Sequence, residues 1–322
     1  MKKTLFLIGL VLVCAHPVYA QGQIFPTKSV RVIVPYTAGG SSDILARLLS
    51  ASLKDPWGQS PIVENKAGAS GMLGNDFVAK ATADGHTLVM TDLGTLTIGP
   101  SIVKNMLFDL HKDLAPVTTI SFSPDLVVAS PKLPVRTLKK LIDYSKANPD
   151  KLNVATAGMG SNPHLAALQF ATALGLKWTF IPSKGGAQAL QDVAGGHADL
   201  LFNSMLATAP HVKSGNVRLI AVTSANRVGA YPDAPAVSEL VPDFTAGSWQ
   251  GVLTTGGTPR ETVAKINADI VKVLNTPEMK EKIIGFGAEV IANSPEQMDA
   301  FLRADRERWA KVIRDSGLKI EQ

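Results

Sequence analysis

Cysteine is almost missing. The only one in 322 residues is Cys14, inside a stretch that reads as a secretory leader. Lys2 and Lys3 make a positive start, an apolar run spans 5–15, and Val18-Tyr19-Ala20 closes it with an A-x-A-like cleavage pattern. With residues 1–20 removed, no thiol remains, which excludes disulfides and cysteine chemistry. Lipidation at Cys14 is the alternative processing, although Val13 before it fits poorly. No later apolar run is long enough to span a bilayer. Aromatic residues are scarce at 6%, and basic residues form no block of five or more, so nothing reads as a nucleic-acid surface. The formal charge of +5 falls to about +3 without Lys2 and Lys3, a mild positive field that favours approach of anions.

Catalytic and cofactor signatures are also missing. There is no G-x-S-x-G elbow. His86, His111, His164, His197 and His211 have no metal-ligand spacing. "GMGSNPH" (158–164) begins like a dinucleotide-binding loop, but Pro163 stands where the third glycine belongs, and no acidic residue follows at the right distance. No cofactor is implied. Ser161, His164 and Asp199 offer the residue types of a catalytic triad, but Ser161 and His164 are only an i, i+3 pair at a helix start, a common spacing. A periplasmic hydrolase using Ser161 and His164 is kept as the alternative.

What is present is a repeated plan. Short β-branched runs, as at 30–34, 86–91, 152–156, 178–181, 200–203 and 218–223, alternate with helical patterns of about ten residues. A further strand is expected at 126–129, after a break at Ser123-Pro124. This alternation predicts an α/β fold with mostly parallel sheet and right-handed crossovers. Leu45, Leu48, Leu49 and Leu53 share one helical face. From Thr258 only helices follow. Thr258-Pro259 with Glu261, and Ser294-Pro295 with Gln297, read as capping arrangements. The last helix repeats Met298, Phe301, Leu302, Trp309, Val312 and Ile313 on one face, expected to pack back on an earlier domain.

Four segments after strands are rich in Gly, Ser, Thr or Asn and read as loops: "YTAGGSSD" (36–43), "TDLGTLT" (91–97), "AGMGSNPH" (157–164) and "FNSMLATAP" (202–210). In open α/β sheets, ligands bind beyond the carboxyl ends of the strands. Helix N-termini there present free N–H groups and a partial positive charge. Glycine lets backbone approach the ligand, and hydroxyls add neutral donors. The combination describes a seat for a carboxylate that needs no buried arginine. For any one such loop a connector with an N-cap is the plainer reading, and Asp43 in particular reads as a cap of its own helix.

The blocks "FPTKSVRVIVPYTAGGSSDILARLL", "VENKAGASGMLGNDFVAKATADGHTLVM", "DLAPVTTI", "LNVATAGMGSNPHLAALQF", "AGGHADLLFNSM", "VRLIAVTSANR" and "FGAEVIANSPEQMDAFLRADRERWAKVI" together resemble the Bug-type extracytoplasmic solute receptors of tripartite tricarboxylate transporters. The resemblance implies a two-domain periplasmic-binding-protein fold, type II-like. Each domain would be a mostly parallel sheet flanked by helices, with two crossover strands near 121–126 and near Thr223. The expected division is 21–123 with 225–322 as domain 1, carrying the C-terminal helices, and 124–224 as domain 2. It implies a periplasmic, non-enzymatic receptor that hands a small organic anion to membrane permease subunits, or presents it to a sensor kinase. We expect a monomer.

Carried over residue by residue, the resemblance points to Tyr36, Thr37, Ala38, Gly39, Gly40, Ser42 and Asp43 on one side of the cleft. Met159, Gly160, Ser161 and His164 face them, with Thr95 and Asn203 at the sides and Ser183 and Lys184 nearby. Two departures narrow the ligand. Asn203 stands where relatives often carry an Asp suited to an amine, and Ser183 replaces a Tyr, which widens the cleft. Both suggest a di- or tricarboxylate or an aromatic acid rather than an acidic amino acid.

Overall fold

The computed structural model describes residues 25–103 and 106–316. The expected leader, residues 1–20, lies outside the described residues. The described residues form ten strands: β1 (Arg31–Val34), β2 (Ile62–Asn65), β3 (Thr87–Asp92), β4 (Leu114–Ala129), β5 (Asn153–Thr156), β6 (Thr179–Pro182), β7 (Leu200–Ser204), β8 (Arg218–Val222), β9 (Gly247–Thr255) and β10 (Glu289–Val290). The helices of the first half are α1 (Ser41–Ser52), α2 (Lys54–Trp57), α3 (Met72–Ala79), α4 (Leu93–Ile102), α5 (Leu110–Asp113) and α6 (Leu138–Ala147). Those of the second half are α7 (Asn162–Ala173), α8 (Gly186–Gly195), α9 (Met205–Lys213), α10 (Arg260–Leu274), α11 (Pro277–Gly285) and α12 (Pro295–Ser316). Among the described residues no helix is long and apolar enough to cross a membrane.

The strands run in the order β2-β1-β3-β9-β4-β7-β5-β6, with β8 and β10 also on β4. β1, β2 and β3 pair in parallel, as do β5, β6 and β7. Each parallel set forms the heart of one lobe, as the alternating strand–helix pattern predicts. β4 joins the lobes. Its first part, through Pro124, pairs antiparallel with β9, and from Asp125 onward it pairs with β7 and β8. The expected break at Ser123-Pro124 is therefore no break. The strand passes straight through, and the prolyl nitrogen, which cannot donate, falls where the partner strand changes. The next amide, Asp125 N–H, is satisfied by the Thr223 hydroxyl at 2.8 Å.

Thr223 also ties the return of the chain. Its hydroxyl reaches the Ala246 carbonyl at 2.6 Å, and the Ala246 N–H bonds the Thr223 carbonyl at 3.0 Å. The chain is expected to rejoin the first domain from 225, but the stretch between Thr223 and Ala246 stays with the second lobe. Val237, Val241 and Phe244 pack with Val127, Phe170 and Phe202 in the core of the second lobe. Burial of three apolar side chains, each contributing roughly 1.5–3 kcal/mol, holds this segment there. The return crossing lies at Ala246–Gly247, where β9 begins.

Hydrophobic periodicity is realised as expected in the helices. Leu45, Leu49 and Leu53 are buried against β1 and β3, with Leu48 half-buried. Ile266, Ile270 and Leu274 of α10 join the same core. Met298 and Leu302 of α12 pack with Ile33, Val89, Leu93 and Leu253, so the C-terminal helix covers the first lobe. Ser294 and Gln297 form the expected reciprocal cap: each backbone N–H bonds the other's side chain, at 2.9 and 3.3 Å. The Thr258 cap is not formed. Its hydroxyl donates instead to the Thr255 carbonyl at 2.7 Å.

Candidate functional site

Five helices begin at one cleft between the lobes. From the first lobe come Gly40, Ser41 and Ser42 at the start of α1, and Asp92 and Thr95 at the start of α4. From the second come Ser161, Asn162 and Pro163 at α7, Gly186 at α8, and Ser204 and Ala207 at α9. Tyr36, Ala157, Asn203, Ser248 and Gln250 complete the lining of this small cavity of about 50 Å³.

Two of the four expected loops do not exist. "TDLGTLT" is the end of β3 running directly into α4, and "FNSMLATAP" is β7 running into α9. Small residues there allow close packing at a strand–helix junction rather than a loop. Asp92 makes the first junction possible: as N-cap its carboxylate accepts the Gly94 N–H at 2.8 Å. Ser161 caps α7 in the same way, accepting the His164 N–H at 3.4 Å. The N-caps of α1, α8 and α9 (Gly40, Gly185 and Ser204) make no side-chain cap bond.

Polar groups line the cleft in an ordered chain. The Ser42 hydroxyl donates to Gln250 Oε1 at 2.6 Å, and Gln250 Nε2 donates to Asp92 Oδ2 at 3.2 Å. Tyr36 and Thr95 share a hydrogen bond of 2.7 Å. Burial pushes the Tyr36 phenol well above its ordinary value. Asn203 Nδ2 donates to Thr208 at 2.9 Å, which turns Oδ1 toward Gly186. Ser204 Oγ and Thr37 Oγ1 are buried without a hydrogen-bond partner among the described residues.

Two acids belong to this wall: Asp92, half-buried and lining the cleft, and Asp125, fully buried behind it. Burial pushes the Asp92 carboxyl up to about 6, with bonds from Gly94, Ser248 and Gln250 opposing the rise and Asp305 adding to it. Asp125 on β4 is fully buried, accepts from Asn162 Nδ2 at 3.3 Å and has no partner for its other oxygen among the described residues. Burial first, and then the charge of Asp92, push it up to about 8.

Of the expected residues, the cleft brings together Tyr36, Gly40, Ser42, Thr95, Ser161 and Asn203. Met159 and Gly160 line an adjoining cavity that shares Thr95. A Cβ on Gly160, whose φ is +75°, would run into Ile102 of the first lobe. Thr37 packs beside Gly185 of the second lobe. Ala38 and Gly39 are exposed at the rim.

Four expected residues turn to other tasks. Asp43 accepts the Gly39 N–H at 2.9 Å, Arg47 Nε at 3.0 Å and Asn65 Nδ2 at 3.0 Å. Burial alone would raise it, but these donors, Arg47 first, hold it below the usual carboxylate range. It braces the loop before α1. His164 Nδ1 accepts the Gly160 N–H at 3.0 Å, and burial drives its ring down to about 4, so it is a neutral acceptor shaping that turn. The Ser183 hydroxyl donates to Asp192 at 2.9 Å, and Lys184 is exposed. Neither lines the cleft, so the widening expected from Ser183 has no counterpart there.

The hydrolase constellation is not assembled. The His164 ring faces the Gly160 amide rather than the Ser161 hydroxyl, and Asp199 accepts the Asn153 N–H at 2.8 Å, at the opposite end of β5.

Gly186, Ser248 and Gln250 line the cleft from outside the four expected segments, and Asp92, Asn162 and Ser204 line it from within them without having been singled out. Ser248 and Gln250 carried a signal: polar residues two apart on a strand lie on one face.

Two lobes joined by crossing strands, with helix N-termini of both turned to the cleft between them, define a periplasmic binding protein. Within that class the chain belongs to the tripartite tricarboxylate transporter family receptors (TctC), whose family model matches residues 45–318. The chain is 33% identical to Protein BugT of Bordetella pertussis, over 100% of this chain and 99% of that protein. An R. palustris protein solved with adipate superposes with a TM-score of 0.88 at 34% identity, covering 91% of this chain and 98% of the other. MatC from Rhodopseudomonas palustris with bound malate superposes with a TM-score of 0.85 at 31% identity, covering 90% and 100%. Receptors of this family are extracytoplasmic solute-binding proteins that serve transporters.

Proposed function

We propose that this receptor captures a small organic carboxylate without an ammonium group and delivers it, in the closed form, to the permease subunits of a tripartite tricarboxylate-type transporter, without chemical conversion. The observation that carries the reading is the convergence of five helix starts on one cleft, three of them without a side-chain cap bond. Each helix end contributes up to about 1–2 kcal/mol toward an anion. Each charge-assisted hydrogen bond adds roughly 1.5–3 kcal/mol. A micromolar complex needs about 8 kcal/mol net, so two or three such contacts on each side suffice. Adipate and malate in the two R. palustris neighbours support a carboxylate here.

The working units, among the described residues, are a first domain of about 25–124 and 247–316 and a second of about 125–246, hinged on β4 and the return at Ala246–Gly247. The leader at 1–20 exports the chain to the periplasm. Ligand bound to one lobe favours closure because the other lobe then adds its own donors.

Isothermal titration of the purified protein with succinate, malate, adipate, citrate, benzoate, hexanoate and glutamate tests this. Binding of at least one carboxylate with no ammonium group, and none or weaker binding of glutamate, is expected. Glutamate as the sole ligand would overturn the reading.

A further inference from the structure

The polar cleft has room for very little. At about 50 Å³ it holds a carboxylate group and a water or two, since a single water takes roughly 10–15 Å³ on the same scale. Directly beside it lies a larger chamber of about 210 Å³. Thr95 is a wall of both, and Gly160 of the chamber precedes Ser161 of the cleft.

The chamber is chemically unlike the cleft. Met72, Ile102, Val103, Met106 and Leu107 line it from the first lobe and Met159 from the second. Among the described residues that line it, none carries a charge. The Ser70 hydroxyl is committed to the Met159 carbonyl at 2.9 Å, and Thr95 to Tyr36 at 2.7 Å. The Gly160 N–H is taken by His164. Ala69 and Leu107 at its rim are exposed, but among the described side chains none is left to compensate a second carboxylate in its inner part, where an uncompensated buried charge is strongly disfavoured. Apolar cavities of roughly 150 Å³ take up benzene, so this one has space for a phenyl ring or a short alkyl chain. Three methionines in its walls adapt readily to different shapes.

We propose that the solute is an amphipathic monocarboxylate, with its carboxylate at the helix starts of the polar cleft and its hydrocarbon tail, a phenyl ring or a chain of about five to seven carbons, in the methionine-lined chamber. The proposal rests on the carboxylate reading above and adds the nature of the rest of the molecule. Because Met159 closes the chamber from the opposite lobe, tail burial also favours the closed form.

Titration of the purified protein along butyrate, pentanoate, hexanoate and heptanoate, with phenylacetate, adipate and malate alongside, tests this. Affinity should rise roughly three- to fourfold for each added methylene, phenylacetate should bind comparably to hexanoate, and adipate should bind at least tenfold more weakly than hexanoate. A flat monocarboxylate series, or malate or adipate as the tightest ligand, would overturn the tail assignment while leaving the carboxylate receptor standing. No binding of any carboxylate would remove both. Val103→Phe, which fills the chamber, should weaken heptanoate at least ten times more than butyrate, and Met159→Ser should do the same from the other lobe. Equal losses for both ligands in both variants would count against the chamber.

Discussion

Ser70 donates its hydroxyl to the carbonyl of Met159 at 2.9 Å and so fastens one lobe to the other beside the cleft. Ser70 sits in a left-handed conformation, with φ +53°, and its hydroxyl lies where a Cβ on Gly158 would have to be. The contact is specific to a closed arrangement, because its two partners belong to different lobes. A neutral hydrogen bond contributes about 0.5–1.5 kcal/mol. Ser70→Ala should therefore weaken ligand binding by about two- to tenfold, mostly through faster release, with thermal stability of the free protein little changed. Stopped-flow dissociation with the best ligand of the titration panel measures this.

Asn203→Asp should weaken carboxylate binding at least tenfold. Asn203 lines the cleft and holds Thr208 through its Nδ2. An aspartate there would add a negative charge in a desolvated wall close to the bound anion and lose that donor. Titration of the variant with the same ligand reads the loss. A gain of glutamate binding would show that this position sets the choice between acids and amino acids.

Ligand affinity should depend on pH through Asp92. Its carboxyl, pushed up to about 6 by burial, lines the cleft that takes the anion. A bound carboxylate raises it further, so binding takes up a proton. Affinity should be highest below about pH 6 and fall toward pH 8, by at most tenfold per pH unit for one proton. Asp125, raised by burial and by Asp92, acts with the same sign. Asp92→Asn should flatten most of the profile, which calorimetry in buffers of different ionisation heat can follow.

Asp125 should also set a pH dependence of stability. Unfolded, it gives up its proton near 3.9; folded, burial holds the proton up to about pH 8. Between those values the native state binds more protons than the unfolded one, so stability is full at low pH and declines as pH rises through that window. Asp125→Asn lacks this loss. Its melting temperature relative to the parent should be several degrees more favourable at pH 8.5 than at pH 5, read by differential scanning calorimetry.

The parts of this molecule that are legible in sequence are those made by local chemistry. "YTAGGSSD" and "GMGSNPH" could be placed at the cleft through the family resemblance, since glycine and small hydroxyl residues between a strand and a helix also suit a plain capped connector. The face of α1 and the Ser294–Gln297 cap follow from spacing alone. What stayed hidden comes from distant pairing. Gln250 and Ser248 reach the site only because β9 inserts antiparallel between β3 and β4. Asp92 was obscured because Gly94, Thr95 and Thr97 disfavour helix locally, yet Leu93, Leu96 and Ile98 are fully buried and hold α4 in place. Pro124 suggested an interruption, but at the change of partner strands no amide is required of it. The segment 225–246 has little regular structure, and it is assigned to the second lobe by its buried Val237, Val241 and Phe244 in one core cluster and Ala236 in another.

The most direct measurement is a crystal structure of the protein saturated with the tightest carboxylate of the panel. The carboxylate should lie within hydrogen-bonding distance of backbone amides at Gly40–Ser42 in the first lobe, and of donors at Ser161–Asn162 or Ser204 in the second. A ligand held by one lobe alone, or seated away from these helix starts, would contradict the account.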